Sequence, residues 1–588
     1  MNVMGYASFI WVLHQPTIQH PNVLRKLEDN LYIPFIEYLT DNVDFLKPSL
    51  IITGSFIDAY FDRTESVLNI ISELFSKKDV DVVLTPYYYT SYALSTLPSI
   101  ISQIRLHRDL MNSLFRKSSD ILGFPYLEWY PQLTPWLKRI GINGVLLDEV
   151  NAGTVGTPII IPWGSDKIVG IPVSTSVEDD IPYNVDNFLE YVQKYLEESS
   201  KTLVFVKDVR DLPRDGERLI KLLNELFSRI EEKGISVINV GEILNIYSTA
   251  PTTPVPFGAS EKLLRDSLGR GFAGLIESNI VKPLFYRLSI IRRPFESKIP
   301  REVLELEEMD VFYEYRHSSY HRQRYLSKLS RAYRRIIPPS GQRIIRQRLG
   351  SEEIILYDTS RISTIICDRG FIVSLVDVNT DFDYIASASL EDSELSIELT
   401  DEEFNIVPPH AFLEYVEDRP YVPGRNSLET IINDRESVVR FRYCSNDFYV
   451  EKSYRMFNNV VEGKYHIKFS NTFDKRLSVG FQIMLPTQNL EGDINREHAI
   501  VIGYKPETYE ILEVSEMHGV WANYSWIGFF DAKSGAIMRV FLETKYGAHV
   551  DITLGSMSHK LNIYPEKPKD VSELSFRLLI KLEKLRVF

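Results

Sequence analysis

The first 250 or so residues alternate short apolar runs with amphipathic stretches. The apolar runs predict strands, and the amphipathic stretches predict helices. The candidate strands are Tyr6–Leu13, Leu50–Ile52, Val80–Leu84, Gly144–Leu147, Leu203–Lys207 and Ser236–Val240. The candidate helices are Ser66–Phe75, Ser99–Phe115, Asn187–Glu198 and Gly216–Lys233. Continuous apolar strands separated by helices are typical of parallel sheets buried on both faces, so we predict a repeated βα domain, either an open sheet or a barrel.

The pattern changes twice further along the chain. The stretch Pro251–Pro256 (PTTPVP) predicts a linker, because repeated proline blocks helix formation and favours extended chain. We expect a helical segment over residues 251–340 that packs on the first domain. From about residue 341, short alternating strands are broken by Asn, Asp, Gly and Pro, which predicts a large antiparallel β-sandwich. The predicted organisation is therefore α/β followed by all-β, with domains over residues 1–250, 251–340 and 341–588.

Composition narrows the classes of function. The 588 residues carry a net charge of −14, so attraction to nucleic-acid phosphates is unfavourable and we expect no nucleic-acid partner. Two cysteines, Cys367 and Cys444, cannot form a disulfide framework or a cysteine metal cluster. The apolar N-terminus lacks the basic leader of a signal peptide, and no apolar run reaches the roughly eighteen residues that span a membrane. We expect a cytoplasmic protein with no membrane partner. Its composition suits a thermophile, and a homo-oligomer is compatible with it.

Polar side chains follow several of the predicted strands. In parallel βα folds, reactive groups collect at the carboxyl edge of the strands. His14 follows the first strand, Asp81 lies in the third, and Asp208 follows Leu203–Lys207. Glu128 stands between aromatic residues in the stretch PYLEWYP. Two carboxyl groups on either side of a sugar suit retaining glycoside cleavage, in which one attacks the anomeric carbon and the other protonates the leaving oxygen.

Aromatic residues close to Glu128 fit the same chemistry. Trp129, Tyr130 and Trp136 are candidates for stacking on sugar rings or for shaping the pocket wall. Because two carboxyl groups suffice for the reaction, we expect no metal and no organic cofactor.

Each of these residues also has a purely structural interpretation. A lone His14 is often a hydrogen-bonded structural histidine, and a glutamate beside Trp and Tyr is often a rim residue. Asp208 suits the cap of a following turn, and the Asp215-Gly216-Glu217 triplet predicts a turn and a helix start. Asp208, Asp211 and Asp215 all remain candidates for the acid.

The order of these motifs resembles glycoside hydrolase family 57, particularly its α-amylase and 4-α-glucanotransferase members. The resemblance is carried by His14-Gln15-Pro16, by Thr85 to Tyr89 (TPYYY), by Glu128 in PYLEWYP and by Leu137 to Glu149 (LKRIGINGVLLDE). It implies a (β/α)7-type barrel, a helical segment and a C-terminal β-sandwich. It further implies that Glu128 is the nucleophile, that Asp208 is the acid/base, and that His14 and Asp81 bind hydroxyl groups of an α-1,4-linked glucan.

The sequence departs from the family pattern at three of these positions. Asp81 replaces a glutamate, Tyr89 replaces a histidine, and Arg210 replaces the glutamate that follows the acid. A positive charge beside Asp208 is unfavourable for a group that must hold a proton. The departures therefore favour, as an alternative, a catalytically impaired carbohydrate-binding or scaffold homologue. A third hypothesis is a metal-dependent polysaccharide deacetylase-like hydrolase, for which His14 and His20 are the nearest pair of ligands.

Overall fold

A computed structural model gives the architecture of the chain. The described residues are 5–61, 67–77, 79–175, 180–181, 183–198, 202–246, 250–260, 262–263, 282–295, 298–310, 319–337, 341–349, 352–380, 382–386, 411–417, 419–423, 428–470, 475–483, 498–505, 508–513, 518–522, 526–531, 536–546, 548–554, 559–567 and 571–584. The chain divides into two compact units. Unit 1 comprises residues 1–275 and 294–313, and unit 2 comprises residues 276–293 and 314–588.

The strands of unit 1 form a closed ring. They are β1 (Gly5–Leu13), β2 (Ser49–Ile52), β3 (Asp81–Val82), β4 (Ile121–Leu122), β5 (Gly144–Asp148), β6 (Ile159–Trp163), β7 (Asp166–Val173), β8 (Thr202–Asp208) and β9 (Ile235–Val237). One sheet has the order β3-β2-β1-β8 and the other the order β4-β5-β7-β6.

Both gaps between the two sheets are closed by backbone hydrogen bonds. Leu84, just after β3, forms a parallel bridge with Leu122 of β4. On the other side, Ser174 N donates to Val204 O over 2.8 Å and so joins β7 to β8. Seven parallel strands (β1, β2, β3, β4, β5, β7 and β8) thereby complete a barrel, which confirms the predicted (β/α)7-type fold. β6 runs antiparallel to β7, and β9 pairs with the amino-terminal half of β1.

Alternation along β1 explains why the barrel forms. Ile10 and Val12 belong to a compact cluster with apolar residues of the other barrel strands, whereas Phe9 and Trp11 belong to a second cluster with the surrounding helices. Successive side chains of a strand point to opposite faces, so β1 buries apolar surface on both. The continuous apolar run at Tyr6–Leu13 reflects this burial of both faces of the strand.

Helices of unit 1 cover the outside of the ring, and further helices belong to unit 2. They are α1 (Pro21–Leu27), α2 (Ile33–Asp41), α3 (Val43–Leu46), α4 (Gly54–Tyr60), α5 (Val67–Ser76), α6 (Leu97–Phe115), α7 (Thr134–Arg139), α8 (Glu149–Ala152), α9 (Val185–Glu198), α10 (Gly216–Glu232), α11 (Val240–Ile246), α12 (Lys282–Arg292), α13 (Arg301–Glu305) and α14 (Ser319–Ile336). None of the helices in the described part of the chain is long and apolar enough to cross a membrane.

The proline-rich stretch predicted as a linker is part of unit 1, so that prediction was wrong. Ile160 N donates to Pro251 O over 2.8 Å, and Thr253 N donates to Ile160 O over 2.9 Å. The extended backbone that proline favours pairs here with β6 and forms an additional edge of that sheet. Helices α12 and α14 lie in unit 2, whereas α13 lies in unit 1, so the contact boundaries differ from the predicted ones at residues 250 and 340.

Unit 2 is built mainly from antiparallel strands, as the sequence predicts. They are β10 (Arg343–Leu349), β11 (Glu352–Asp358), β12 (Ile362–Ile366), β13 (Ile372–Asp377), β14 (Phe382–Asp383), β15 (Ala411–Val416), β16 (Arg419–Pro420), β17 (Leu428–Asn433), β18 (Val438–Cys444), β19 (Phe448–Phe457), β20 (Val460–Phe469), β21 (Leu477–Ile483), β22 (His498–Lys505), β23 (Thr508–Glu513), β24 (His518–Ala522), β25 (Trp526–Asp531), β26 (Ala536–Thr544), β27 (Ala548–Leu554), β28 (His559–Pro565) and β29 (Glu573–Lys584). They form an 11-stranded and a 9-stranded sheet whose apolar residues share one buried cluster. A shared core between two sheets is the arrangement of a β-sandwich.

Candidate functional site

Three of the predicted site residues follow the carboxyl ends of barrel strands. His14 comes directly after β1, Asp208 is the last residue of β8, and Glu128 lies six residues beyond β4. In barrels of parallel strands this edge carries the active site, because the loops that follow the strands converge there. The carboxyl edge of unit 1 is therefore the candidate site.

A short turn with unusual backbone presents Glu128. The 3-10 turn Pro125–Leu127 precedes it, and Tyr126 and Leu127 both have positive φ angles, 53° and 50°. Left-handed backbone at a non-glycine residue costs of order 1–3 kcal/mol and persists only where the surroundings enforce it. The following backbone is anchored, since Trp129 N donates to Gly258 O over 2.8 Å.

The Glu128 carboxyl group is completely buried and surrounded by donors. Tyr92 N donates to Oε1 over 2.7 Å, and the Ser91 hydroxyl donates to Oε2 over 2.8 Å. Ala93 N and the Tyr130 hydroxyl also hydrogen-bond this carboxyl group. Four donors fix its orientation and favour the ionised form.

Burial nevertheless raises the pKa of Glu128, to about 8, and the hydrogen bonds from Tyr92, Ser91, Ala93 and Tyr130 offset only part of that rise. None of the ion pairs found among the described residues involves Glu128, and the main causes of its pKa shift are burial and hydrogen bonds from uncharged groups. The proton affinity of this carboxyl group is thus set by dehydration and by neutral donors.

Asp208 is held very differently, by a guanidinium group. Its Oδ2 lies 2.7 Å from Arg210 Nη2 and 3.1 Å from Arg210 Nε, and its Oδ1 accepts from Arg210 Nε over 3.1 Å. Oδ1 also accepts from Arg210 N over 2.8 Å, which caps the 3-10 turn Val209–Asp211. The turn-capping interpretation of Asp208 is therefore confirmed, and Arg210 pairs with the proposed acid as its position in the sequence suggests.

Arg210 also reaches a carboxyl group that sequence reasoning missed. Its Nη1 lies 2.5 Å from Asp310 Oδ2, so one guanidinium group bridges Asp208 and Asp310. Burial tends to raise the pKa of Asp310, but the charges of Arg210 and His14 outweigh it and hold that pKa well below its ordinary value. Asp310 is accordingly a carboxylate at neutral pH.

His14 lies in the same cluster. Its Nδ1 is 3.0 Å from Thr53 Oγ1 and 3.3 Å from Ser55 Oγ, and its Nε2 is 3.3 Å from Asp310 Oδ2. Its ring centroid is 4.8 Å from that of Tyr89, the residue that replaces a histidine of the family pattern. Both ring nitrogens thus face polar partners, so the structural interpretation of His14 also holds.

The segment 301–310 supplies Asp310 and two further buried acids. Glu308 accepts two hydrogen bonds from Thr17, from N over 2.9 Å and from Oγ1 over 2.8 Å. Glu307 accepts from the Ser99 hydroxyl over 3.0 Å and from Gln103 Nε2 over 3.1 Å.

Arg301 anchors the beginning of that segment to the loops after β2 and β3. It lies 2.7 Å from the Asp58 carboxylate and 2.8 Å from the hydroxyl groups of Tyr87 and Tyr88. The partners of this segment are about 100 to 300 residues away in sequence, so no local motif predicts these contacts. The one sequence signal is the acidic run Glu307-Glu308-Met309-Asp310, whose two glutamates are completely buried.

The three aromatic residues predicted to stack on sugars lie in three different environments. The Trp129 side chain is completely buried in the apolar core between barrel and helices, so it is not a stacking surface and that prediction was wrong. Trp136 is 42% exposed on α7 and stacks with Arg139, whose guanidinium carbon is 4.8 Å from the ring centroid. Tyr130 is half-buried and hydrogen-bonds Glu128. Of the three, Tyr130 alone contacts a predicted catalytic residue.

The remaining acidic candidates lie elsewhere. Asp81 opens β3, paired with the first residue of β2, and its Oδ2 accepts from Gly241 N over 2.9 Å at the start of α11. This is the amino end of the strands, so the structure does not bring Asp81 together with His14 and Glu128. Asp215 is the exposed N-cap of α10, where it accepts from Arg218 N over 3.1 Å. Asp211 is 3.8 Å from Lys207 Nζ and 42% exposed.

The two histidines considered as metal ligands have separate environments. His20 Nδ1 accepts from Asn22 N over 3.1 Å and so caps α1, whereas His14 faces Thr53 and Asp310. Over the described ranges, no group of three or more His, Cys, Asp or Glu side chains is arranged to hold a metal ion.

Comparison with known proteins places these features in a family context. Residues 8–256 match the sequence model of glycosyl hydrolase family 57. A comparison with curated proteins gave no significant match. The structure is similar to a 4-alpha-glucanotransferase from Thermococcus litoralis, with a TM-score of 0.73 and 15% identity over 99% of this chain and 100% of that chain. At that identity the likeness shows a shared fold.

Two further solved structures overlap with part of the chain. A branching enzyme from Pyrococcus horikoshii gives a TM-score of 0.43 at 12% identity, covering 56% of this chain and 92% of that one. An α-amylase from Thermotoga maritima gives a TM-score of 0.43 at 10% identity, covering 57% of this chain and 94% of that one. The family match covers β1 to β8 and both predicted catalytic carboxyl groups.

Proposed function

We propose, from the premise that residues 8–256 of this chain belong to glycosyl hydrolase family 57, that the protein is a retaining enzyme acting on α-1,4-linked glucose polymers, as a hydrolase or as a 4-α-glucanotransferase. The observation that carries the proposal is the environment of Glu128. Its carboxyl group is completely buried at the carboxyl edge of the barrel and is oriented by four donors. A carboxylate held in this way is suited to attack a carbon rather than to bridge to a cation.

In the proposed first step, a Glu128 oxygen attacks the anomeric carbon while Asp208 donates a proton to the departing glycosidic oxygen. The carbon–oxygen bond of the glycoside breaks, and a glycosyl ester forms on Glu128. In the second step, Asp208 takes a proton from the attacking hydroxyl group, whose oxygen bonds to the anomeric carbon and releases Glu128. Water as the attacking group gives hydrolysis, and a sugar hydroxyl gives transfer.

The other groups of the cluster have supporting roles in this mechanism. His14 Nε2 lies 3.3 Å from Asp310 Oδ2, and we propose that in the complex it hydrogen-bonds a sugar hydroxyl beside the scissile bond instead. Arg210 must loosen its pairing with Asp208 before that carboxyl group can reach the glycosidic oxygen, because the guanidinium group contacts both carboxyl oxygens. We propose that substrate binding between the two residues provides that change.

The same ion pair supports a second candidate function. If Arg210 never releases Asp208, the protein binds α-glucans without cleaving them. The observation that favours this candidate is the number of contacts that Arg210 makes to Asp208, through its backbone N as well as through its side chain.

Product analysis with maltooligosaccharides distinguishes the two candidates. Purified wild type is expected to give shorter products if it hydrolyses, and both longer and shorter ones if it transfers. Glu128→Gln, which keeps the size and most acceptor capacity of the side chain, is expected to give none. Equal activity in wild type and Glu128→Gln would remove Glu128 from the mechanism. Saturable binding without products in both proteins would establish the binding function instead.

A further inference from the structure

An exposed aromatic ring lies close to Glu128 on the stretch that follows the proline-rich edge. Phe257 is 56% exposed. A single exposed ring is ordinary on a protein surface, so the position of Phe257 beside Tyr130, rather than its exposure alone, distinguishes it.

The backbone that carries Phe257 is held firmly. Gly258 exchanges two hydrogen bonds with Trp129, 2.8 Å and 3.2 Å long. Asn151 Nδ2 donates to Ala259 O over 2.9 Å, and Ser260 N donates to Tyr126 O over 2.8 Å. A Cβ atom at Gly258 would lie 2.2 Å from Asn151 Oδ1, so the close approach at this position requires glycine. The exposure of Phe257 is thus built into a fixed segment.

A chain of ring contacts connects Phe257 to the proposed nucleophile. Its centroid is 4.7 Å from that of Tyr130, with the ring planes 36° apart. Tyr130 is in turn 4.7 Å from Tyr92 in an edge-on arrangement. The Tyr130 hydroxyl and the Tyr92 backbone N both hydrogen-bond Glu128. One ring, that of Tyr130, therefore separates Phe257 from the Glu128 carboxyl group.

We propose that Phe257 is the floor of a sugar-binding subsite next to Glu128, on which one glucosyl unit of the substrate stacks. The apolar C–H face of a glucopyranose ring fits an exposed aromatic face, while its hydroxyl groups remain hydrated at the edge. Trp129, which precedes Tyr130, is in the core, so the stacking predicted for it is carried by a residue from a distant part of the chain. This inference rests on the proposed function, because it assigns a subsite of the same substrate.

Binding to an inactive background tests the subsite. In Glu128→Gln, calorimetry with maltohexaose measures affinity without turnover. Adding Phe257→Ala is expected to weaken affinity about fivefold to tenfold, the range of a lost aromatic contact. Phe257→Trp, which keeps a stacking face, is expected to restore affinity to within about twofold. Trp163→Ala is a matched control, since Trp163 is 43% exposed at the end of β6 and is not one of the contacting rings Phe257, Tyr130 and Tyr92.

Kinetics of the otherwise wild-type chain give a second readout. Phe257→Ala is expected to raise KM with little change in kcat, because stacking is lost equally from ground state and transition state. Unchanged affinity and unchanged KM in Phe257→Ala, with activity intact, would overturn the subsite and leave the proposed function standing. A loss of affinity that Phe257→Trp does not restore would also overturn it. If neither wild type nor Glu128→Gln binds maltohexaose, the proposed function and the subsite fail together.

Discussion

The two halves of the barrel hold their carboxyl groups in opposite ways. After β4, Glu128 is completely buried and accepts hydrogen bonds from neutral donors. After β8, the Asp208 side chain is 17% exposed and is chelated by Arg210. The first environment raises the pKa of Glu128 through dehydration, whereas the second pairs Asp208 with a positive charge.

Under the proposed mechanism, that difference assigns a different requirement to each half. A dehydrated carboxylate is more reactive toward carbon once it is ionised, so the environment of Glu128 suits the nucleophile. Arg210 contacts both oxygens of Asp208, a pairing that we call the clamp, so acid catalysis by Asp208 under the proposed mechanism depends on its release from Arg210. Glu128 has no such clamp, but it must lose its proton before it attacks, because burial raises its pKa to about 8.

The largest effect is expected from the comparison of Glu128→Gln with Asp208→Asn on two substrates. Glu128→Gln should lower kcat/KM by at least about 10⁴-fold on both maltooligosaccharides and an α-maltosyl fluoride, because it removes the nucleophile. Asp208→Asn should lower it by about 10²- to 10⁴-fold on maltooligosaccharides, but should still react with the fluoride, whose leaving group needs no proton.

Asp211→Asn and Asp215→Asn are the controls for that experiment. Asp211 is half-exposed and Asp215 caps α10, so neither variant should lose more than about twofold activity. An activity loss in Asp215→Asn that matches the loss in Asp208→Asn would assign the role of acid to Asp215 in the Asp-Gly-Glu triplet.

A smaller effect is expected when the clamp is removed. Arg210→Gln removes the guanidinium group that contacts both oxygens of Asp208, so this carboxyl group becomes free to meet the glycosidic oxygen and kcat/KM on maltooligosaccharides should rise by up to about tenfold. Arg210→Lys keeps a cation at this position and should show a smaller rise.

The surroundings of Asp208 bear on that comparison. The charged and titratable groups that face the Asp208–Arg210–Asp310 cluster are His14 and Tyr32, and Arg214 in turn interacts with Tyr32. Arg214→Gln is a control for the general effect of one lost positive charge. An activity loss of more than tenfold in Arg210→Gln would show instead that the clamp positions Asp208 for catalysis.

The smallest expected effect is on stability, and its sign follows from the environment of Glu128. The folded-state pKa is raised, to about 8, above the ordinary value of 4.5. The folded state therefore gains stability from the protonated group below about pH 4.5 and loses that contribution as pH rises through about 8. The melting temperature of Glu128→Gln should exceed that of wild type by a margin that grows between pH 5 and pH 8. A constant or shrinking margin would contradict burial as the dominant influence on Glu128.

Features that depend on residues close together in the sequence could be predicted, and contacts between residues far apart in the sequence could not. The barrel strand β1 and helix α6 were predictable because apolar periodicity is local, and Glu128 was predictable because PYLEWYP is a contiguous motif. Strand β4 was missed because two residues, Ile121–Leu122, carry no period. Strand β7 was missed because Gly170 and Pro172 interrupt its apolar pattern, although a Cβ at position 170 would lie 2.6 Å from Leu147.

The site contains contributions that sequence reasoning could not reach. Asp310 contacts Arg210, which is 100 residues away in the sequence, and Glu308 contacts Thr17, which is 291 residues away. Phe257 stacks on Tyr130 from beyond a stretch that proline content identified as a linker. Local pattern identifies which side chains have suitable chemistry, but only the closed barrel determines which of them meet.

Trapping the glycosyl ester tests the central claim most directly. Asp208→Asn should react with an α-maltosyl fluoride and then release the sugar slowly, because the base for the second step is missing. Peptide mass spectrometry after rapid acid quenching should find one maltosyl unit attached at Glu128, and none in Glu128→Gln or in the double variant. A sugar attached to another residue, or turnover of the fluoride to a product of inverted configuration, would contradict the assignment of Glu128 as the nucleophile.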